Sequence, residues 1–186
     1  MHKLKLQKES FLGGFSKTIN NVSVKEIFDH RITSLAIPLT SEKKCASEFK
    51  KIFKKLMPEI EKSLSISQGN VIFRLASDLL FLCENSNKKL SKATFDLLKR
   101  SFYSTDQSGG WCCLQVSGNN VLNMLERICP LDLAEERFKT LDVKRTSMEH
   151  LGVIIFKKSP KEFLLYSASS SSKSFLHAVE TSCKNL

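Results

Sequence analysis

The chain has 186 residues, of which 41% are hydrophobic and 26% charged, as in an ordinary soluble globular protein of one domain or two small ones. No apolar run reaches the ~20 residues that span a bilayer, and no continuous apolar stretch follows the basic start at 1–6, which argues against a transmembrane segment and a secretory signal. We therefore expect a cytoplasmic protein with no membrane partner.

The net charge of +10 and the sequence pI of about 9.4 are compatible with binding to nucleic acid or to an acidic surface. The lysines are scattered along the chain, however, and only two Tyr and one Trp are available to stack on bases. We favour a chain with no nucleic-acid partner and keep a basic nucleic-acid-binding module as an alternative.

The six cysteines lie largely in apolar runs, where a free thiol behaves as a small buried hydrophobe. The sequence has no Cys-x-x-Cys, so neither a zinc knuckle nor a thioredoxin-type motif is supported. Cys112 and Cys113 would point to opposite faces of a strand and are poor partners for a disulfide. We expect reduced, structural thiols.

The N-terminal part of the chain divides into a polar segment, a strand and a helix. Residues 1–30 are interrupted by Gly13-Gly14 and Asn20-Asn21, and we interpret them as an arm that orders only against a partner. An apolar run at 32–39 is a candidate strand, and Ser41 can cap the helix after it. The apolar positions of this helix recur at three- and four-residue spacing: Cys45, Phe49, Ile52, Phe53, Leu56 and Ile60. Its lysines fall mainly outside that face, and we favour a solvated face over a grip on an anionic partner.

The next elements complete a recognisable order. A β-hairpin is expected at 71–75 and 79–83, Ser91 can cap a second helix, and 111–116 is a further strand. From residue 32 onward this gives strand, helix, strand, strand, helix, strand, the order of a ferredoxin-like βαββαβ unit.

A second half follows, with elements expected at 119–129 (helix), 141–148, 151–157 and 162–167 (strands) and 170–183 (helix). We therefore predict an α+β fold. Residues 31–186 would form a single domain of two halves, about 31–117 and 111–186.

The most informative segment runs from the strand at 111–116 to Cys129-Pro130-Leu131-Asp132-Leu133. Gly118 permits a tight turn from strand to helix, Pro130 cannot continue that helix, and Asp132 can cap the turn that follows. Each of these steps has a purely structural explanation.

The same segment resembles the γ subunit of heterotetrameric sarcosine oxidase. Members of that family read as a strand, Leu-Ser-Gly, a helix, Cys-Pro-Leu-Asp-Leu, and then an Arg-Thr or Gln-Thr strand that ends near a His. The counterparts here are Val116-Ser117-Gly118, the 129–133 segment, and Lys144-Arg145-Thr146 through His150. The match is clear over about 110–183 and looser over 32–109. The family's Leu-Gly-Pro-Asp-Glu-Trp hairpin is replaced by Leu75-Ala76-Ser77-Asp78-Leu79-Leu80, without its Gly, Pro and Trp.

The resemblance implies a fold like the folate-binding domain of glycine-cleavage T proteins and a role in one-carbon metabolism. The complex would oxidise sarcosine to glycine and H2O2 and transfer the one-carbon unit to tetrahydrofolate. The partners would be the α, β and δ subunits of a heterotetramer. NAD, tetrahydrofolate, FAD, FMN and zinc would be held by those other subunits, with no cofactor in this chain. A free-standing folate-binding protein is an alternative, although the Lys-Gly-Cys-Tyr-x-Gly-Gln-Glu motif of folate-binding iron–sulfur maintenance proteins is absent.

Searches for chemistry in the chain itself are negative. There is no G-x-G-x-x-G, no G-x-x-x-x-G-K-[ST] and no G-x-S-x-G, and the four histidines lack metal-ligand spacing. Cys129 would lie at a helix C-terminus, where the dipole disfavours a thiolate, and we expect a buried thiol.

We predict no catalytic, cofactor-binding or metal-binding residue, and a candidate partner interface at Trp111, Asp132, Arg145 and His150. If Arg145 and His150 share one strand, their side chains face opposite sides of it.

Overall fold

The computed structural model describes residues 10–85 and 87–186, and residues 1–9 of the predicted arm lie outside this part of the chain. Its strands are β1 Ser16–Ile19, β2 Val22–Glu26, β3 His30–Ala36, β4 Ser63–Ser65, β5 Val71–Ala76, β6 Leu79–Asn85, β7 Tyr103–Asp106, β8 Trp111–Gly118, β9 Val143–Met148, β10 Leu151–Ser159 and β11 Glu162–Ala168. Its α-helices are α1 Glu42–Phe53, α2 Lys92–Lys99, α3 Val121–Glu126 and α4 Ser172–Lys184, with short 3-10 turns at Ser67–Gly69 and Ser169–Ser171. The fold is therefore α+β, as predicted.

The strands form two antiparallel sheets. The first sheet has the order β1-β2-β8-β11-β10-β9 and the second the order β4-β5-β6-β3-β7. Alternation along the strands gives each sheet two buried faces, because successive side chains point to opposite sides. On β10, for example, Val153 and Ile155 pack in one cluster and Ile154 and Phe156 in another.

Three hydrophobic clusters define four layers. One cluster joins α3 and α4 to the first sheet, a second lies between the two sheets, and a third joins α1 and α2 to the second sheet. The central cluster contains tilted and edge-to-face aromatic pairs, with the Phe73 and Phe156 ring centroids 4.8 Å apart. The two sheets are also tied by backbone hydrogen bonds at one edge, from Ser63 N–H to Leu141 O (3.1 Å) and from Val143 N–H to Glu61 O (3.0 Å).

The structure corrects the interpretation of the N-terminal segment as an arm. Within residues 10–30, β1 and β2 form a hairpin, and β2 pairs with β8 from Val22↔Gly118 to Glu26↔Leu114. Val22 and Val24 are fully buried. The segment belongs to the first sheet because alternate apolar side chains on β2 complete its core, a pattern too short to stand out among the surrounding polar residues.

The βαββαβ interpretation also needs a correction at its last strand. The 111–116 segment is β8, which lies in the first sheet, whereas β7 pairs with β3 in the second sheet. The sequence Tyr103-Ser104-Thr105-Asp106 is polar and mostly exposed, so it carries little apolar signal for a strand.

Helix α1 is shorter than the apolar spacing indicates. It ends at Phe53, and Lys54 adopts a left-handed conformation with φ of 56° as its C-cap. Leu56 and Ile60 therefore lie outside the helix and are 72% and 49% exposed. By contrast, Ser91 caps α2 as predicted, accepting a hydrogen bond from Thr94 N–H at 3.1 Å. Among the described residues, no helix combines the length and apolar character needed to cross a membrane.

Candidate functional site

The 129–133 segment behaves as the sequence indicates. Cys129 follows α3, is 5% exposed, and its pKa is raised chiefly by burial. Its amide N–H donates to Leu125 O at 2.8 Å, so the chain turns directly after it at Pro130. Asp132 is exposed, and its Oδ1 accepts a hydrogen bond from Ala134 N–H at 3.0 Å. A high thiol pKa leaves little thiolate at neutral pH, which makes Cys129 a poor nucleophile.

Gly118 has a further role that the sequence does not reveal. Its φ is 136°, and a Cβ there would lie 2.0 Å from Asn21 O. The glycine therefore allows the β1–β2 turn to approach β8, in addition to opening the way to α3. The Ser117-Gly118 pair thus lies where the β1–β2 turn meets the end of β8, just before the chain enters α3.

The four predicted interface residues do not share one environment. Trp111 is half-buried, and its ring packs edge-to-face against Phe81 with the centroids 5.7 Å apart, inside the inter-sheet cluster. Arg145 is exposed on β9, which is an edge strand of the first sheet. His150 is exposed in the two-residue turn between β9 and β10, where Glu149 and His150 have φ values of 47° and 66°. Because His150 lies in the turn and not on β9, Arg145 and His150 do not share one strand, and the expectation that they face opposite sides of it does not apply.

His150 lies in a shallow groove that we call the hairpin groove, formed by 126–130 together with Ser147, Glu149 and His150. Its volume is about 360 Å³. The groove brings the Cys129-Pro130 turn next to the β9–β10 turn, which are 20 residues apart in the sequence. Asp132 and Arg145 do not line it. The structure thus brings together two of the motifs that carry the family resemblance, at one end of the first sheet.

A larger cleft of about 440 Å³ opens between the two sheets. Its walls are apolar or aromatic: Val71, Phe73, Phe156, Leu164 and Tyr166. Polar residues also line it, among them Asp29, His30, Asn85 and Lys158. We call this the inter-sheet cleft. An apolar cleft with a few polar groups at its boundary is the usual form of a small-molecule site.

Tyr166 organises the inner end of the inter-sheet cleft. Its ring meets His30 edge-on at 5.9 Å and Phe73 at 5.8 Å between centroids. Its hydroxyl is hydrogen-bonded to the Cys83 and Cys113 thiols, and burial raises the pKa of Tyr166 well above its usual value. Burial likewise raises the pKa of Cys83 to about 12. These groups are therefore neutral at physiological pH and act as hydrogen-bonding and packing groups.

Several charged side chains are buried although no sequence motif predicts it, and Glu26 and Lys157 are two of them. Glu26 is 2% exposed, and its carboxylate accepts hydrogen bonds from Phe11 N–H (2.9 Å), Gly14 N–H (2.9 Å) and the Ser10 hydroxyl. Consecutive amide groups around a carboxylate form an anion-binding nest, here filled by the protein's own side chain. No sequence motif predicts such a nest, although Gly13 and Gly14 both have the positive φ from which one can form.

Lys157 is another buried charge, and it is 1% exposed. Its Nζ donates to the Glu135 carboxylate at 2.5 Å and to Phe138 O at 2.7 Å. The hydrogen bond from Lys157 is the main reason that the pKa of Glu135 is lowered. This contact holds the loop after the 129–133 segment against β10. Among the residues that the structure describes, no group of three or more His, Cys, Asp or Glu side chains is arranged to hold a metal ion.

Comparisons of the sequence with protein-family models and with curated proteins give no match. The structure, however, is similar to a chain of the heterotetrameric sarcosine oxidase from Corynebacterium sp. U-96, solved in complex with pyrrole 2-carboxylate. The TM-score is 0.76 at 16% identity, over 91% of this chain and 87% of that one.

The structure is also similar to the glycine cleavage system aminomethyltransferase T from Bartonella henselae, with a TM-score of 0.61 at 12% identity. That match covers 87% of this chain but 46% of the other, so the chain spans a little under half of the transferase. At these identities the comparisons establish the fold. The chain has a T-protein-like fold.

Proposed function

We propose that this chain is a non-catalytic γ-type subunit of a sarcosine-oxidase-type complex. The assembly would oxidise the N-methyl group of sarcosine with O2, giving glycine and H2O2, and pass the one-carbon unit to tetrahydrofolate. FAD, FMN, NAD, zinc and tetrahydrofolate would be bound by the α, β and δ subunits. The role of this chain would be to pack against those subunits and complete the heterotetramer.

One observation carries the proposal. The similarity to a chain of heterotetrameric sarcosine oxidase extends over nearly the whole of both chains, so the two have similar lengths as well as similar folds. The aminomethyltransferase, in contrast, is more than twice as long as the part that matches. The sequence adds support, because the Ser-Gly turn and the β9–β10 hairpin belong to the first sheet, and Cys129 and Leu133 of the 129–133 segment pack in the cluster on its outer face.

We also propose that the second sheet with α1 and α2 is the ferredoxin-like unit, with β7 as its last strand. In chain order its strands are β3, β5, β6 and β7, and their spatial order β5-β6-β3-β7 supports this assignment. The strand β4 is an addition at its edge, where it pairs with β5.

Co-expression with the α, β and δ homologues of the same genome tests the proposed function. The chain should co-purify in a stoichiometric complex with amine-oxidase activity, and omission of the chain should reduce the yield of the assembly. A chain that elutes as a stable monomer beside the other subunits would contradict the proposal.

Variants can test the candidate interface in the same assay. Arg145→Glu and His150→Glu change exposed residues of the β9–β10 hairpin, and Lys25→Glu, on β2 toward the opposite edge of the first sheet, is the matched exposed control. Weaker co-purification of the first two, with the control unaffected, would support an interface at this end of the first sheet.

The inter-sheet cleft favours a second candidate function, folate binding by the free chain. Tetrahydrofolate fits the residues that line the cleft, since aromatic walls suit its pterin ring and the polar boundary offers hydrogen-bonding groups. Titration with tetrahydrofolate, followed by fluorescence and calorimetry, should give saturable binding without any partner. Ser65→Trp, at an exposed position lining the cleft, should reduce that binding, and Thr105→Trp on β7 is its control. The absence of saturable binding would remove this candidate.

A further inference from the structure

The positive charge of the protein is concentrated on one layer. The segments 42–55 and 88–100, which contain α1 and α2 with their flanks, hold eleven Lys or Arg and three Asp or Glu. They account for eight of the ten net positive charges of the chain. The sequence alone does not show this concentration, because the two segments are separated by more than thirty residues and meet only in the folded layer.

The opposite helical layer provides an internal comparison. The segments 119–131 and 170–186, which contain α3 and α4, hold three Lys or Arg and two Asp or Glu. The two layers occupy equivalent places on the outer faces of the two sheets, so a general abundance of lysine does not explain the difference. We refer to the exposed surface of α1 and α2, with the flanking residues just defined, as the basic face.

The lysines of the basic face are directed to solvent. Cys45 and Phe49 bury the inner side of α1 against the second sheet, while Lys43, Lys44, Lys50 and Lys51 are exposed on its other sides. Few of these charges are neutralised within the chain: Lys51 pairs with Glu48 at 2.6 Å, whereas the Lys55 Nζ donates to the neutral Ser65 O at 2.7 Å and keeps its charge. The remaining charge produces a positive field over one side of the molecule.

Apolar side chains accompany the lysines. Leu97 on α2 is 43% exposed, and Leu56, directly after Lys54 and Lys55, is 72% exposed. Exposed leucines beside long charged side chains provide apolar contact points, and protein interfaces commonly combine an apolar centre with a polar rim.

We propose that the basic face docks on an acidic surface of a protein partner, and that this partner belongs to the oxidase assembly; the proposal rests on the function proposed above. Charge complementarity accelerates the encounter of two proteins and fixes their orientation, whereas the leucines add apolar contact. The surface lies on the other side of the molecule from α3 and the groove beside it. The chain would thereby contact its partners through two separate faces.

Two other polyanions fit the basic face less well. Nucleic acid binding without sequence preference uses aromatic side chains for stacking, and the large exposed aromatics of the described residues, Phe28 and Tyr103, are on neither α1 nor α2. An interfacial membrane helix inserts its apolar face into the lipid, but the apolar faces of α1 and α2 are already buried against the second sheet.

Charge-reversal variants test the proposal. Lys43→Glu, Lys50→Glu and Lys92→Glu together change the charge of the basic face. Lys25→Glu, Lys139→Glu and Lys161→Glu together make the same change at exposed positions outside both faces and serve as the matched control. Association of each purified chain with the co-expressed α, β and δ homologues is measured by surface plasmon resonance between 25 and 300 mM NaCl.

The first triple variant should associate at least about tenfold more slowly than wild type at low salt and should lose the salt dependence, while the control stays within about twofold. Circular dichroism checks that each variant is folded. When the same lysines are changed to glutamine, the basic-face triple should again associate more slowly than the control triple, but the difference should be smaller. The same variants are titrated with a labelled 20-nucleotide RNA and with phosphatidylserine vesicles.

The outcomes separate the two proposals. If wild type binds the subunits but both triples bind equally well, the basic face is not the docking surface and the proposed function stands. If wild type binds none of the subunits, both proposals fail. If the basic-face triple loses affinity only for RNA or only for vesicles, the partner is of that other class and the inference is overturned.

Discussion

Replacement of Gly118 by alanine should destabilise the protein more than a glycine substitution in a strand ordinarily does. Two effects combine at this position. A side chain at φ of 136° is strained, which costs about 1–2 kcal/mol. The added Cβ would also lie 2.0 Å from Asn21 O and 3.3 Å from Val22 Cα, so the β1–β2 turn must move away from β8.

That movement breaks the pairing of β2 with β8 where it begins, at Val22↔Gly118. The loss of one or two backbone hydrogen bonds at about 1 kcal/mol each brings the expected total to about 3 kcal/mol. With a urea m-value of about 2 kcal/mol/M, the unfolding midpoint should fall by about 1.5 M. Urea titration followed by Trp fluorescence and far-UV circular dichroism measures this shift.

Gly152→Ala is the matched control. Gly152 is exposed on β10, its φ is not positive, and no atom lies within 4 Å of a Cβ added there. Its free energy of unfolding should stay within about 0.5 kcal/mol of that of wild type, as is typical of surface changes, so its urea midpoint should hardly move. If Gly118→Ala unfolds at the same urea concentration as Gly152→Ala, then the close approach of the β1–β2 turn does not determine the need for glycine.

Three further predictions concern buried polar groups or the exposed partner of one. Glu26→Ala should cost more stability than Glu26→Gln in urea titration, because alanine removes the acceptor of the Phe11 N–H and leaves the Leu12 and Gly14 N–H groups with only the Ser10 hydroxyl, whereas glutamine keeps one oxygen; equal costs would argue against the nest. At pH 8, the six free cysteines should react with Ellman's reagent slowly in the native protein and rapidly in guanidinium chloride, since burial raises the pKa of Cys183 to about 11 and that of Cys83 to about 12; a fast native thiol would contradict this. The lowered pKa of Glu135 contributes stability above the unfolded-state pKa that is lost as the pH falls through the folded-state value, so Glu135→Gln should flatten the acid side of the stability profile, as measured by thermal unfolding between pH 2 and 6.

The elements that the sequence predicts well are those whose signals are local. The β5–β6 hairpin is confirmed because apolar runs of strand length flank a short polar turn at 77–78. Helix α2 is confirmed from Ser91, whose cap bond involves residues three apart. The turn after Cys129 is confirmed from Pro130, whose effect on a helix requires no distant partner.

The errors occur where structure depends on residues that are distant in sequence. β2 pairs with β8, about 90 residues later, and the loop before β1 closes around Glu26, about 15 residues later. β7 forms a strand because β3 supplies its hydrogen-bonding partner, although its own residues are polar. The pattern of a single sequence does not show such pairings. It therefore predicts the apolar segment β8 as the last strand of the βαββαβ unit, although β7 is the strand that pairs with β3.

The candidate sites follow the same division. The resemblance motifs identify the 129–133 segment and the β9–β10 hairpin, but only the fold shows that they meet in one groove. Likewise, solvation is a sufficient explanation for the lysines of α1 when that helix is considered alone, because they lie outside its apolar face. The α2 segment adds further positive charge to the same layer, whereas the helical layer on the other side is nearly neutral. Solvation does not explain this difference, because charges of either sign keep a surface solvated and need not be concentrated on one face.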